Sequence, residues 1–325
     1  MAESLPRKLI KFGNSSYIVS LPKGWIDKHK LKKGNLLYFS ENADSELTIT
    51  HREKKKAEDE EKTITLDVSG RNFDDLRREM TSSYINNVKN FILTGEGIRN
   101  NGEQIKGIFK TLMGLEILEQ NDERIVIKDF LDIGTVSPKK IMKRIDNSVK
   151  SMFEDIREGI EAKGTLKQDV FNEILSMDSE INKLHFLILK ISKIGLRDPE
   201  TLKTFDMDHG KISAMHSTSL HLEYIGDDIK RVARFLTRAK MNEKQQKQFV
   251  ALFSIIEKSF FDAMNAYHNE DAKLAREVLD KKKSVLKECD RLFEMGTNNS
   301  AIGSIVERSK TLYAGVYDIA KTVLY

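Results

Sequence analysis

Apolar side chains recur at intervals of three and four residues from Pro138 almost to the end of the chain. Ile141, Ile145 and Val149 begin the first of these stripes. This spacing places the apolar residues of a helix on one face, so each stripe predicts an amphipathic helix. The stripes lie at residues 141–160, 174–194, 212–236, 249–267, 272–293 and 302–324. A mainly helical domain is therefore expected at residues 136–325.

The six predicted helices form two sets of three that resemble each other in sequence. Residues 152–155 resemble residues 259–262, residues 177–184 resemble residues 279–286, and residues 231–233 resemble residues 318–320. A period of about 100 residues is too long for a solenoid of short repeats and indicates a duplicated three-helix bundle. We expect the two bundles at residues 136–239 and 241–325.

The segment before the helices alternates between two kinds of pattern. Strand-like runs lie at residues 63–68, 90–94 and 124–130, and helical runs lie between them at residues 74–88 and 104–118. A βαβαβ order predicts a small α+β domain at residues 63–135, with its helices on one face of a sheet. The charged run at residues 52–62 has no apolar periodicity and is typical of a linker.

Residues 1–51 contain short strands instead of long helices. Tyr17 to Leu21 is strand-like, a short helix is expected from Lys23 to His29, and residues 36–39 and 47–50 are two more strands. So few short strands cannot bury enough apolar surface alone, because an isolated hairpin is only marginally stable in water. We therefore expect a small β domain that pairs with a second copy of the chain to form a homodimer.

Three features follow one another in this β domain. They are a Gly13-Asn14-Ser15-Ser16 turn, a strand ending in Leu21-Pro22-Lys23, and a Leu31-Lys32-Lys33-Gly34-Asn35 turn before the last strands. Their order resembles the swapped-hairpin DNA-binding domains of the AbrB/SpoVT family. The resemblance implies that two chains interleave their hairpins in one β-barrel, with basic residues on one side contacting DNA.

The local charge is consistent with a DNA-binding surface. Before Ser40 many basic side chains are opposed only by Glu3 and Asp27. Neutralising phosphates supplies most non-specific affinity for DNA, and short polar side chains of a turn also position phosphates. The expected DNA-contacting residues are Arg7, Lys8, Lys11, Asn14, Ser15, Ser16, Lys23, Lys28 and Lys30. The alternative is that the lysines are merely solvated and that the hairpin serves dimerisation alone.

Two carboxylates share one face of the third long helix, since Glu223 and Asp227 are four residues apart. Like charges at this spacing destabilise a helix by about 0.2–0.5 kcal/mol unless something neutralises them. A bound cation is one neutraliser, because carboxylate oxygens are ligands for hard metal ions. Arg231, four residues beyond Asp227, is the other, and the spacing alone favours this ion pair.

The same segment resembles the Glu-x-x-x-Asp metal motif of the phosphate-uptake regulator (PhoU) family, and the resemblance covers residues 136–325. Members of that family fold as two three-helix bundles, so the resemblance implies a metal ion, of unknown identity, in the first bundle. The ligands that it implies are Glu223, Asp227 and Asp178, with Asp228 and Asn182 within reach.

The second bundle departs from this motif. Lys310 stands where the first bundle has Glu223, and Ala314 stands where it has Asp227. Asp280 is then the single expected carboxylate beside Lys310, and a lysine ammonium repels a metal ion. No metal is therefore expected in the second bundle.

Several classes of protein are not expected from this sequence. It has no Walker loop, dinucleotide-binding loop, nucleophile elbow or cysteine pair, which argues against an enzyme. Cys289 is the only cysteine, which indicates a reducing compartment. No signal peptide begins the sequence, and no apolar run approaches the ~20 residues of a membrane span, so a cytoplasmic location without membrane insertion is expected.

The patterns together predict a multidomain, mainly α-helical protein with a swapped-hairpin β domain, a small α+β domain and tandem three-helix bundles. The function that the two resemblances imply is a DNA-binding transcriptional regulator linked to phosphate uptake or phosphate signalling. The alternative is an interaction protein of the PhoU type that does not bind DNA. Such a protein would modulate a phosphate transporter or a signalling kinase through its helical bundles.

Overall fold

The computed structural model describes residues 6–41, 47–51, 61–296 and 299–325. The chain divides into two compact units, Met1–Glu60 and Glu61–Tyr325. The first unit contains short strands, and the second contains a four-stranded sheet and long helices, so the chain is mainly α-helical as predicted. The predicted linker at residues 52–62 lies outside the described residues, apart from its last two positions.

Two antiparallel hairpins and one short helix form the N-terminal unit. Its elements are β1 (Ile10–Phe12), β2 (Ser16–Ile18), α1 (Lys23–Lys28), β3 (Tyr38–Glu41) and β4 (Leu47–Thr50). β1 pairs with β2 and β3 pairs with β4. Gly13 has a φ of +67° in the first turn, a left-handed conformation that favours glycine. The strand expected over residues 17–21 is shorter, because its ladder with β1 ends at the pair of Ile10 and Ile18.

The described part of the N-terminal unit has no buried apolar side chain. Phe12 is 66% exposed, Tyr17 is 61% exposed and Phe39 is 60% exposed. Two-stranded hairpins without an apolar core are marginal on their own. The interleaved barrel and the homodimer require a second chain, and both stay predictions.

A four-stranded sheet and two helices begin the second unit. Their bounds are β5 (Thr63–Asp67), α2 (Phe73–Ile85), β6 (Asn90–Thr94), α3 (Ile98–Phe109), β7 (Leu115–Gln120) and β8 (Arg124–Asp129). The sheet order is β5-β6-β8-β7, with β5 parallel to β6 and the other pairs antiparallel. Leu66, Phe91 and Ile127 from the sheet pack in one core with Leu76 and Met80 from α2.

The order of elements in this part is βαβαββ, so the predicted βαβαβ order was wrong by one strand. Residues 115–118 were expected in a helix, but they belong to β7. The apolar residues Ile105, Ile108, Leu112 and Leu115 keep helical spacing across the break, so periodicity could not detect it. The chain turns at Gly114, whose φ of +83° takes it out of the helical region.

Eight helices follow within residues 136–325 of the described chain. They are α4 (Pro138–Lys163), α5 (Gln168–Gly195), α6 (Pro199–Thr204), α7 (His209–Leu236), α8 (Glu243–Asn269), α9 (Ala272–Asp280), α10 (Lys282–Met295) and α11 (Ser300–Thr322). Polar side chains define where they begin: Ser137 caps α4, Asp208 caps α7, and Asn242 forms a capping box with Gln245 at α8.

Two local features of the helical part differ from the expectation. The short helix α6 lies between the stripes predicted at residues 174–194 and 212–236, where no helix was expected, and Pro199 occupies its first turn. The stripe expected over residues 272–293 is divided between α9 and α10 at Lys281. Among the described residues, no helix is both long enough and apolar enough to cross a membrane.

A fully buried lysine joins the sheet to the helical bundle within the second unit. Lys190 of α5 forms an ion pair with Asp129 at the end of β8, and both side chains are 0% exposed. The Lys190 Nζ lies 4.2 Å from the ring centre of Tyr84. Phe186, one turn earlier on α5, packs against the core of the sheet. The helix α5 therefore contributes to both hydrophobic cores.

Candidate functional site

The residues expected to contact DNA lie on the first hairpin, on α1 and in the residues next to them in the N-terminal unit. Lys11 is in β1, Asn14 and Ser15 are in the turn, and Ser16 begins β2. Lys23 and Lys28 lie at the two ends of α1. All these residues are exposed, and Arg7, Lys8 and Lys30 are exposed as well.

None of the six basic side chains is buried, and none forms an ion pair with another described residue. The register of the first hairpin pairs Lys11 with Tyr17, so these two side chains lie on one face of it. Ile10, Phe12 and Ile18 lie on the opposite face, and so does Ser16, which pairs with Phe12. The hairpin therefore has one face that carries Lys11 and one mainly apolar face, and Ser16 does not share the face of Lys11.

The second turn of the N-terminal unit has the local structure that its sequence predicts. The backbone N–H of Lys32 donates to Asn35 Oδ1 at 2.6 Å, and Gly34 has a φ of +93°. Trp25 packs near two histidines, with ring centres 5.2 Å from His29 and 6.4 Å from His51. The ring contacts join α1 to the segment that follows β4 within the N-terminal unit.

The acidic face of the first bundle is formed by two helices. Glu223, Asp227 and Asp228 lie on α7, whereas Asp178 and Asn182 lie on α5. We call these five residues the acidic face. The structure brings Asp178 and Asp227 to the same cation, which is Lys230 of α7.

Lys230 bridges the two helices of the acidic face. Its Nζ lies 2.8 Å from Asp178 Oδ2 and 2.5 Å from Asp227 Oδ1. Burial alone would lower the pKa of the Lys230 ammonium, but hydrogen bonds to Asp178 and Asp227 raise it above its ordinary value. Lys230 is therefore a charged group held between two carboxylates.

Arginine side chains bind further oxygens of the acidic face. Arg231 donates to Asp227 Oδ2 at 2.8 Å and to Asp228 Oδ1 at 3.2 Å. Arg308 of α11 also donates to Asp228 Oδ1, at 3.4 Å. The sequence spacing identified Arg231 as the neutraliser of Asp227, and this ion pair is present in the structure. Neighbouring lysines were also expected as alternative neutralisers of this site, and the structure adds that Lys230 is the one that reaches Asp178 on α5.

Glu223 is the carboxylate of the acidic face that has no hydrogen-bond or ion-pair partner among the described residues, and it is partly buried. Burial, followed by the nearby charges of Asp227 and Asp178, raises the pKa of Glu223 to about 7. Asn182 donates to Asp178 Oδ2 at 3.4 Å. Glu223 is therefore the one carboxylate of the acidic face that no cation contacts directly among the described residues.

The acidic face as arranged does not fit the metal ion that the PhoU resemblance implies. A hard cation needs several free oxygen ligands, whereas Asp178 and Asp227 already accept hydrogen bonds from an ammonium. Within the described residues, there is no group of three or more His, Cys, Asp or Glu side chains that could hold a metal. The metal site therefore stays a prediction without support from this geometry.

The second bundle places Lys310 differently from the expectation. Lys310 lies 3.4 Å from Asp290 and 3.5 Å from Glu307, so its partners are on α10 and α11. Asp280 was expected beside it, but Asp280 is exposed at the end of α9. The helix is interrupted at Lys281, and this break changes the side-chain register that the alignment of the two repeats assumed.

Comparisons with known proteins identify two segments of the chain. A family model described as "Antidote-toxin recognition MazE, bacterial antitoxin" matches residues 10–59, and the PhoU domain model matches residues 142–236. Searches of the curated proteins and of the solved structures found no match. The chain therefore combines an N-terminal segment similar to MazE-type antitoxin domains with a helical segment similar to the PhoU domain, which is the combination that the sequence predicted.

Proposed function

We propose that the chain is a DNA-binding transcriptional regulator, linked to phosphate uptake or phosphate signalling, that works as a homodimer. The observation that carries the proposal is the N-terminal unit, which has exposed apolar strands and basic side chains without ion-pair partners among the described residues. Exposed apolar surface favours a protein partner, and unpaired cations favour a polyanion. The match to a MazE-type domain supports this assignment of the N-terminal unit.

The homodimer is supported by the apolar face of the first hairpin. Ile10 is 59% exposed and Phe12 is 66% exposed, and Ile18 lies beside them on the same face. A second copy of the same face is self-complementary in a two-fold dimer, so it would bury these side chains on both chains. Full burial of a side chain of this size is worth about 1.5–3 kcal/mol, and these side chains would contribute less than that because they are already partly covered within one chain.

DNA binding is supported by the charge of the same unit. A dimer would carry two copies of each of these basic residues, and each phosphate that they neutralise adds to the salt dependence of affinity. The link to phosphate rests on the PhoU match at residues 142–236 and has no support from any ligand site in the described residues. The helical domain would then serve as the regulatory part.

A titration of full-length protein with a mixed-sequence DNA duplex, at low and moderate salt, tests the proposal. We expect affinity to fall as salt rises. Replacing Lys8, Lys11 and Lys23 with Ala should flatten the slope of log affinity against log salt by about 0.9 for each phosphate that is no longer neutralised.

The matched control removes the same charge from the helical domain. Lys244, Lys283 and Lys287 are exposed and form no ion pair among the described residues, so their replacement with Ala should leave the slope unchanged. A triple variant at Lys8, Lys11 and Lys23 with wild-type affinity and slope would contradict DNA binding by the N-terminal unit.

The second candidate function is the interaction protein that does not bind DNA. It is favoured by an open groove of about 380 Å³ on α4, whose lining includes Lys140, Lys143 and Arg144. Lys140 and Lys143 have no ion-pair partner among the described residues, so the groove suits an acidic segment of a partner such as a transporter or a kinase. A dimeric protein without measurable DNA affinity at low salt would favour this function over the first.

A further inference from the structure

The acidic face contains a cation that belongs to the chain itself. The side chains of Lys230, Asp178 and Asp227 are only 17%, 12% and 24% exposed, respectively. The Lys230 Nζ is within hydrogen-bond distance of one carboxylate on α5 and one on α7. The ammonium therefore occupies the space between the two carboxylates, which is the space that a metal ion bound to both of them would need.

The oxygens around Lys230 are already engaged. Both oxygens of Asp227 accept hydrogen bonds, one from Lys230 and the other from Arg231. Asp178 Oδ2 accepts from Lys230 and from Asn182. A divalent cation would have to displace the ammonium from these oxygens. Because Lys230 is attached to α7, the two positive charges would remain close, which like-charge repulsion disfavours.

We propose that Lys230 replaces the metal ion in this chain, so that the first bundle is held together by a tethered ammonium and is independent of metal. A metal ion and the Lys230 ammonium are alternative sources of positive charge for the carboxylates of Asp178 and Asp227. Removing the ammonium leaves Asp178 and Asp227 close together between two helices without the cation that bridges them, which is destabilising. In the Lys230→Met protein the carboxylates of Asp178 and Asp227 would no longer bind an ammonium, so a hydrated divalent cation could bind between α5 and α7 through these two side chains.

The first test measures the metal content of wild-type protein purified without chelator, together with its Tm in EDTA and in millimolar MgCl2, MnCl2 or CaCl2. We expect no stoichiometric metal and the same Tm in each solution. About one metal ion per chain, absent when Asp178→Asn and Asp227→Asn are combined, would overturn the proposal. This measurement does not depend on the folding of any Lys230 variant.

The second test measures the Tm of Lys230→Met under the same conditions. We expect a lower Tm in EDTA than for the wild type, and a recovery of at least about 2 °C in divalent cations, as expected for binding to the folded state. Combining Lys230→Met with Asp178→Asn and Asp227→Asn should remove that recovery. An unchanged Tm in EDTA, or a decrease that no divalent cation restores, would overturn the proposal.

The second bundle offers a matched control. Lys281 lies 2.8 Å from Asp262 in a lysine–aspartate pair that is also partly buried, but it pairs with a single carboxylate. Lys281→Met should lower the Tm without creating a response to divalent cations. An equal response in both lysine variants would show that cations act on the protein generally, and it would also overturn the proposal.

Discussion

The helical domain buries its large apolar side chains, whereas the described part of the N-terminal unit leaves its own exposed. The helical domain fully buries large side chains such as Phe153, Phe249 and Phe260, and it neutralises most of its acidic face with its own cations. The N-terminal unit leaves Phe12 and Phe39 exposed, and its basic residues lack ion-pair partners among the described residues. The helical domain therefore has a core within one chain, whereas the described part of the N-terminal unit has none, and this is the difference that the proposed homodimer would explain.

Two signals can follow these regions separately. Trp25 is the only tryptophan, so its fluorescence reports the N-terminal unit. The long helices lie in the second unit, so far-ultraviolet circular dichroism reports that unit. The two signals therefore distinguish a change in one region from a change in the other.

The largest effect is expected from Ile10→Asp combined with Phe12→Asp. These changes place charge on the apolar face of the first hairpin on both chains, and each side chain that is no longer buried in the dimer costs up to about 1.5–3 kcal/mol. We expect a monomer in sedimentation velocity and altered Trp25 fluorescence, with the circular dichroism melt of the helices unchanged.

Leu196→Asp is the control for this variant. Leu196 is 49% exposed on the helical domain, so the substitution adds a charge to exposed apolar surface without touching the hairpin. It should leave the dimer intact. A double hairpin variant that stays dimeric would break the comparison, because the apolar face would then not hold the two chains together.

The next effect concerns the buried ion pair of the second unit. Lys190→Met leaves the buried Asp129 carboxylate with Lys89, 3.3 Å away, as its remaining cation among the described residues. Breaking a buried pair costs about 3–5 kcal/mol, so the helical melt should shift strongly while Trp25 fluorescence does not. Combining Lys190→Met with Asp129→Asn should restore part of the stability, because the uncharged amide keeps an acceptor oxygen for Lys89 and the Leu131 N–H. A single variant as stable as the wild type would show that the pair is not needed.

A pH effect of similar or smaller size is expected from His185 of α5. Burial, followed by the charge of His216, lowers the pKa of His185 from 6.5 to about 4. The unfolded chain therefore takes up the proton first as the pH falls, and the folded state loses up to about 3 kcal/mol between these two values. Urea melts of the helices at pH 7 and pH 4.5 should differ less for His185→Gln than for the wild type.

His209→Gln is the control, because His209 is exposed, and it should have the same pH dependence as the wild type. If the stability of His185→Gln depended on pH as strongly as that of the wild type, this assignment would be contradicted.

The smallest effect is expected at an exposed ion pair. Lys247 lies 2.6 Å from Glu243 on α8, and both side chains are more than three-quarters exposed. Lys247→Ala should cost no more than about 0.5 kcal/mol, because solvent screens such pairs.

Asn242→Ala should cost about 1 kcal/mol, because it removes the capping box of the same helix. A reversed order would show that surface charge matters more to the helical domain than its caps.

The long helices could be predicted from the sequence because each stripe has a local cause. Apolar residues three and four apart define a helix face without reference to the rest of the chain. The same rule failed at β7, where helical spacing continued past Gly114, and at Lys281, where one stripe covers two helices. In both cases the break depends on backbone conformation and not on which residues are apolar.

The candidate sites were harder to predict, because they depend on contacts between distant residues. The Glu-x-x-x-Asp spacing identified Glu223 and Asp227, but the reach of Lys230 to Asp178 spans 52 residues and depends on how α5 packs on α7. The pair of Lys190 and Asp129 spans 61 residues and has no local signal. The basic residues of the N-terminal unit were found from composition, and their role stays a prediction because it requires a second molecule.

Light scattering of the full-length protein at micromolar concentration tests most directly whether a second chain completes the N-terminal unit. We expect a mass twice that of the 37.3 kDa chain, because the described part of the N-terminal unit lacks a core of its own. A mass of 37.3 kDa would contradict this expectation. If Trp25 fluorescence of that monomer also changed on adding urea, the N-terminal unit would be folded within a single chain.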